Sequence, residues 1–287
     1  MKLNKTIIIG INISDCGSTG IIMKNCLEYA SKNGNYDYCA LTYDGGHFDN
    51  SLSYTPKNKI FQRLYNRLFK ISINYPDGFY FKANTKRVIK QIKRLSSKYN
   101  KTFVHIHNIH SSFLDIKTLF DFLSLNKDIH VFYTLHDCWS FTGGCCCFDY
   151  NKCYKWENGC NECDFGFDSL KIATCKQWEI KRELMTSIKD QLTLVTVSQW
   201  MIDNLNSSFF KGFDVVLNNG ECNIANTPDV DLNLKKSLGI DNKKVLIERP
   251  YFKQGNSNYI NCITDSCCFS GGCFNFKYIT SFNNDFI

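Results

Sequence analysis

VHIHNIHSSFLDIKTLFDFLSLNKDIHVFYTLHDCWSFTGGCCCFDYNKCYKWENGCNEC, residues 104–163, carries the pattern from which the architecture follows. Two short apolar segments, Val104–Ile106 and Ile129–Tyr133, each run into a polar cluster rich in histidine. The first ends in His107, Asn108 and His110, the second in Thr134, His136 and Asp137. Between them Phe113, Leu114, Ile116, Leu119, Phe120 and Leu123 recur at mostly helical spacing. Strand, helix, strand is the unit that builds a parallel sheet. Ligands of such sheets gather outside the carboxyl ends of the strands, where both histidine clusters are expected. The second cluster continues into an apolar-poor, Cys-rich insert.

The same alternation extends both ways. Lys5–Ile13 reads as a buried strand, Ile21–Ser31 as a helix, and Gly17-Ser18-Thr19-Gly20 as the turn joining them. In a strand–turn–helix the backbone N–H groups can face a ligand anion, and glycines let the backbone approach it. The turn is not G-x-G-x-x-G and no P-loop lysine follows, so a plain connecting turn is the alternative. Tyr36–Leu41 is a second strand, ending in Asp44-Gly45-Gly46-His47. Toward the C-terminus come a helical pattern at Leu170–Lys189, a strand at Leu192–Val195, and Ser198 as N-cap of a helix to about Ser207. A strand at Phe213–Leu217 and the turn signal Asn218-Asn219-Gly220 follow. The fold class is therefore α/β, a Rossmann-like doubly wound sheet with mostly parallel strands.

Composition sets further bounds. With 287 residues, 44 % apolar and 21 % charged, the chain can bury a substantial core. No apolar run is long enough to cross a bilayer. The opening MKLNKTIIIGINIS has a short apolar run with no small-residue cleavage site after it, which favours a strand over a signal peptide and a cytoplasmic location. Net charge is +7, which favours anionic partners. Two basic amphipathic helices are expected, at Lys57–Lys70 and Phe81–Tyr99. Such helices either lie on an anionic surface such as the inner face of the membrane or simply present a solvated face. No nucleic-acid partner is expected, because aromatic–basic interleaving and a helix-turn-helix pattern are missing.

Sixteen cysteines are many for this length. Cys26 and Cys39 sit in apolar patterns and read as small buried hydrophobes. Six others fall between residues 145 and 163. Cys160-Asn161-Glu162-Cys163 is a CxxC knuckle, which Cys153 and one of the triplet, Cys147, complete as a four-thiolate set for a structural zinc. A loop this long needs something to order it. Redox thiols and disulfides remain open alternatives at this point.

The combination of GSTG after the first strand, HIHNIHSSFLD, TLHDCWSFTGGC–CYKWENGCNEC, LVTVSQW and VVLNNG resembles bacterial glycosyltransferases of the GT-B fold, family 4. More narrowly, it resembles the colanic-acid, O-antigen and capsule type. The likeness covers about residues 5–247. It implies transfer of a sugar from a nucleoside diphosphate donor to a growing surface polysaccharide or lipid-linked oligosaccharide. Anomeric configuration would be retained and no catalytic metal required. It further implies an N-terminal acceptor domain whose catalytic edge is His136 and Asp137. Gly17, Ser18, Thr19, Gly20, His107, Asn108 and His110 would line the acceptor side.

Family members carry a second Rossmann-like domain for the donor. Here Asp231–Ile240 and Lys244–Ile247 look like its opening helix and strand, and after Glu248 the periodicity disappears. The expectation is an acceptor domain over 1–220, with the Cys-rich insert at 138–168. Residues 221–287 are then an incomplete donor-domain remnant with an aberrant, poorly ordered tail, as a shifted reading frame would leave. Such a chain would be inactive alone, and the alternative function is a non-catalytic glycan-binding fragment or partner subunit. A nicotinamide-dependent enzyme is disfavoured by the missing G-x-G-x-x-G and the lack of an acidic ribose-binding residue.

Overall fold

The computed structural model describes residues 2–34, 36–47, 49–54, 82–110, 114–149, 152–163 and 171–218. The chain divides between Asn219 and Gly220. The expected helix at Lys57–Lys70 and the whole of 221–287 lie outside the described residues.

Strand β1 (Leu3–Ser14) forms the centre. Its β-branched run TIIIGINI alternates between two buried faces, as a strand covered on both sides must. Ile7, Ile9 and Ile11 enter one core, which also takes Val88, Ile92, Leu119 and Phe120. On the other face Ile8 packs against a separate cluster of Met23, Leu27 and Ala40. Met23 and Leu27 come from α1 (Gly17–Asn33), Ala40 from β2 (Tyr36–Asp44). Each fully buried aliphatic side chain contributes roughly 1.5–3 kcal/mol.

The remaining elements are β3 (Ser51–Ser53), α2 (Lys82–Ser96), β4 (Tyr99–Ile106), α3 (Ile116–Leu125) and β5 (Ile129–Leu135). After the insert come α4 (Lys171–Ser187), β6 (Leu192–Thr196), α5 (Gln199–Ser207) and β7 (Asp214–Leu217). All seven strands form one sheet in the order β3-β2-β1-β4-β5-β6-β7, and every pair is parallel. This is a doubly wound Rossmann-like sheet. Strand order reverses between β1 and β4, which opens a crevice at their carboxyl ends.

Several boundaries differ from the sequence reading. Helix α1 begins at Gly17, so the GSTG segment is the helix's first turn rather than a turn before it. Gly20 is required there: a Cβ would stand 2.6 Å from the backbone carbon of Asp15. Helix α3 begins at Ile116, after Leu114, because Asp115 caps it by accepting from the Thr118 N–H at 2.8 Å. Strand β4 starts at Tyr99 rather than Val104. Its first residues are exposed and polar, which hides the period-two signal. The three-residue edge strand β3 has no apolar pattern to announce it.

The insert is not apolar-poor. Among its described residues the regular structure is 3-10 alone, at Asp149 and at Lys155–Glu157. Yet Phe141, Phe148 and Trp156 are buried together, with ring centroids 4.7 to 6.2 Å apart. Trp178 of α4 donates its indole N–H to the Trp156 carbonyl at 2.7 Å, and Trp200 of α5 stacks on Phe148. A few large rings supply the core that counting apolar residues misses.

Candidate functional site at the carboxyl edge of the sheet

Register places histidines in columns. Residues two apart on a strand share a face, so His105 and His107 align, as do Thr134 and His136. His105 Nε2 meets Thr134 Oγ1 at 2.8 Å, and His107 Nδ1 meets His136 Nε2 at 3.0 Å. The rings of His107 and His136 stack at 5.3 Å, and those of His105 and His107 lie 4.2 Å apart. Burial pulls His105 and His136 down to about 4, and pulls His107 well below its ordinary value. The column is therefore neutral at pH 7. His107 Nε2 and Asn108 Oδ1 are both buried and have no protein partner.

His110 and Asp137 form a second pair. His110 Nε2 lies 2.8 Å from Asp137 Oδ2, and Asp137 Oδ1 accepts from the Trp139 N–H at 2.8 Å. With both oxygens occupied, Asp137 orients the loop after β5 and its neighbouring imidazole. His136 is the member of the His-Asp dipeptide whose ring joins the column.

The structure brings together His107, Asn108, His110, His136 and Asp137. It sets the Gly17–Gly20 turn beside them through a residue outside the motif set, Asn12. Fully buried, Asn12 accepts from the Asn108 N–H at 2.9 Å and donates from Nδ2 to Thr19 Oγ1 at 3.1 Å. One amide thus ties the end of β4 to the first turn of α1. Gly17 and Ser18 are exposed, Thr19 is half-buried, and Gly20 is buried against Asp15.

Asp15 is a second positioning residue. It accepts from Gly46 N at 2.8 Å, His47 N at 3.0 Å and Ser51 Oγ at 2.7 Å, and pairs with His47 Nδ1. Burial pushes its carboxyl up, but the bonds from Ser51, His47 and Gly46 outweigh this and bring it down to about 2. The same pairing raises His47. Asp15 thereby fixes the β2–β3 connection beside the crevice.

The expected zinc set is only partly assembled. Cys147 is buried and disulfide-bonded. A cavity of ≈ 30 Å³ in the insert is lined instead by Cys145 together with Cys153, Cys160 and Cys163. Two other groups of metal-capable atoms lie within 4.8 Å of one another among the described residues. They are Asp15, Cys16 and His47, and His110, Asp137 and Cys146; no three cysteines of the insert are that close. Beneath the loop Lys181 is fully buried and donates to the Trp139 carbonyl at 2.5 Å. Burial draws its ammonium down to about 7.

Fold and site define a Rossmann-like α/β protein with a polar, imidazole-lined edge at its topological switch point. No family model matches the chain. Over 128 residues it is 32 % identical to WcaC of Escherichia coli (strain K12), which carries the name of a colanic acid biosynthesis glycosyl transferase. The match covers 41 % of this chain and 30 % of that protein's length. The similarity supports a glycosyltransferase relationship. No helix among the described residues is long and apolar enough to cross a membrane.

Proposed function

We propose that the chain supplies the acceptor side of a glycosyl transfer in polysaccharide biosynthesis. The donor is a nucleoside diphosphate sugar and the acceptor a growing surface polysaccharide or lipid-linked oligosaccharide, with retention of configuration. The carrying observation is the pair of buried, unpartnered polar atoms His107 Nε2 and Asn108 Oδ1, set beside His136 at the crevice. Buried polar groups ordinarily have partners, and sugar hydroxyls both donate and accept.

The electrostatics suit the chemistry. Glycosyl transfer develops positive charge on the sugar ring. A neutral imidazole at His136 can hydrogen-bond a hydroxyl without repelling that charge, whereas a cation there would oppose it. His107 and His105 behind it hold the ring's orientation. Asp137 and His110 set the loop, and the first turn of α1, with Gly17 and Ser18 exposed, is a helix N-terminus of the kind that tolerates an anion. The basic helix α2 leaves Lys86, Arg87, Lys90, Lys93 and Arg94 exposed, consistent with an acceptor held at an anionic membrane face.

The test is to incubate the protein with a panel of nucleotide sugars and lipid-linked glycan acceptors and follow labelled sugar. With a partner that carries the nucleotide-sugar half supplied, transfer is expected, and His136→Ala should lower kcat/KM by roughly 10²–10³-fold, the scale of losing one positioned donor. Equal rates in wild type and variant would contradict the role of His136. Saturable acceptor binding without any transfer would replace this reading with that of a non-catalytic glycan-binding subunit.

A further inference from the structure

The carboxyl edge of the sheet continues past His136 onto the next strand. Leu135 and Thr196 are direct partners in the β5–β6 pairing, so the chain leaves β5 at His136 and leaves β6 at Val197, side by side. Neighbouring strands lie about 4.8 Å apart. Just beyond Val197, in the first turn of α5, stands Trp200, 46 % exposed. Tyr154 of the insert is 51 % exposed. Both pack on one buried ring, Phe148, with centroids 5.7 and 5.9 Å from it. Isolated apolar side chains on a surface are ordinary, whereas grouped ones mark binding surfaces.

The two rings are held firmly. The indole of Trp200 lies nearly parallel to Phe148, at an interplanar angle of 15°, and Phe148 is wedged in turn against Phe141 and Trp156. One indole face is thus covered, which leaves the opposite face and the ring edge for the exposed surface. Helix α5 is fastened to the core by Met201 and Leu205, both buried, so Trp200 is not one of its anchors. Covering Phe148 needs only an apolar side chain of suitable size, such as leucine. Asp203, three residues from Trp200, is exposed and accepts from Gln199 Nε2 at 3.0 Å. Residues three apart on a helix are surface neighbours. A flat ring bordered by a carboxylate and an amide suits a pyranose. The C–H bonds on one side of the sugar meet the negative face of the π-system, and its hydroxyls meet the planar polar groups.

We propose that Trp200 and Tyr154 form an acceptor subsite, a stacking shelf for a sugar that precedes the reacting end of the growing glycan. The inference rests on the reading of this edge as an acceptor site and adds the path of the chain behind the reacting sugar. That path runs from His136 across the end of β6 onto α5 and the insert. Trp200 then sets the preference for acceptor length, and His136 acts at the reacting end.

The test is calorimetry of the full chain with oligosaccharides of graded length, from disaccharide to hexasaccharide, cut from the surface polysaccharide of the strain that makes the protein. Longer fragments should bind more tightly than the disaccharide. Trp200→Leu, which keeps an apolar cover on Phe148, should weaken the longer fragments by roughly tenfold, the upper end of an aromatic stacking contribution, and leave the disaccharide unchanged. Trp200→Phe keeps a ring and should recover most of that loss. Equal affinities of wild type and Trp200→Leu for every fragment would overturn the subsite, and the acceptor reading would stand if the fragments still shifted the His136 ring. Failure of all fragments to bind the wild type would remove both. A nucleobase also stacks on an exposed ring. Uridine diphosphate moving the Trp200 indole N–H resonance, with the oligosaccharides leaving it in place, would overturn the proposal too.

Discussion

Asn12 does more positioning than any motif residue, although nothing in its local pattern marks it. It sits among isoleucines in β1, where a polar side chain must find partners, and it finds them on β4 and α1. Asn12→Ala leaves the Asn108 N–H unsatisfied and should cost about 1–3 kcal/mol, measured by denaturant unfolding. It should also loosen His107 and Asn108. Asn12→Asp keeps the acceptor and should recover part of that loss. At Gly20 a methyl group meets Asp15 backbone, which cannot yield as a flexible side chain would. Gly20→Ala should therefore destabilise by about 1–3 kcal/mol, the usual penalty for overpacking. The histidines were legible in the sequence because they end apolar runs. Asn12 and Asp15 were not, because their partners are 96 and 31–36 residues away and no spacing rule connects them.

At the scale of elements, the strength of the local signal decides what can be read. Ser198 is a recognisable N-cap, and it does accept from the Met201 N–H at 3.3 Å. Asp115 caps α3 in the same way, yet Phe113 and Leu114 blur the start by extending the apolar run. Asp115→Ala should cost about 1 kcal/mol, seen as a fall in Tm of roughly 2–4 °C. Asp115→Asn should be nearly neutral, since it keeps the accepting oxygen. The insert shows the converse. Its order comes from tertiary contacts of Phe141, Phe148, Trp156 and Trp178, and no period exists to be found.

On the scale of the whole molecule, the alternation of strands and helices was enough to give the class and the parallel sheet. Alternation cannot give strand order. The parallel strands put their carboxyl ends on one edge, and the reversal between β1 and β4, which rests on which strands pair, opens the crevice there. That edge carries a pH signature. His105, His107 and His136 are held below their ordinary value by burial. Between pH 6.5 and about 4 the unfolded chain thus binds more protons than the folded one, and stability falls as pH falls through that window. His47 acts in the opposite sense through its pairing with Asp15, but its exposed ring weakens the effect. Thermal unfolding should show Tm dropping steadily from pH 7 to pH 4.5, and replacing His107 with Gln should flatten the drop. The central claim is that neutral imidazoles at the ends of β4 and β5 meet a sugar. Nitrogen NMR of histidine-labelled protein, titrated with lipid-linked glycan, tests it most directly. The account predicts that the His107 and His136 ring nitrogens shift on binding while remaining neutral at pH 7. Glycan binding that leaves both rings unmoved, or that protonates them, would contradict it.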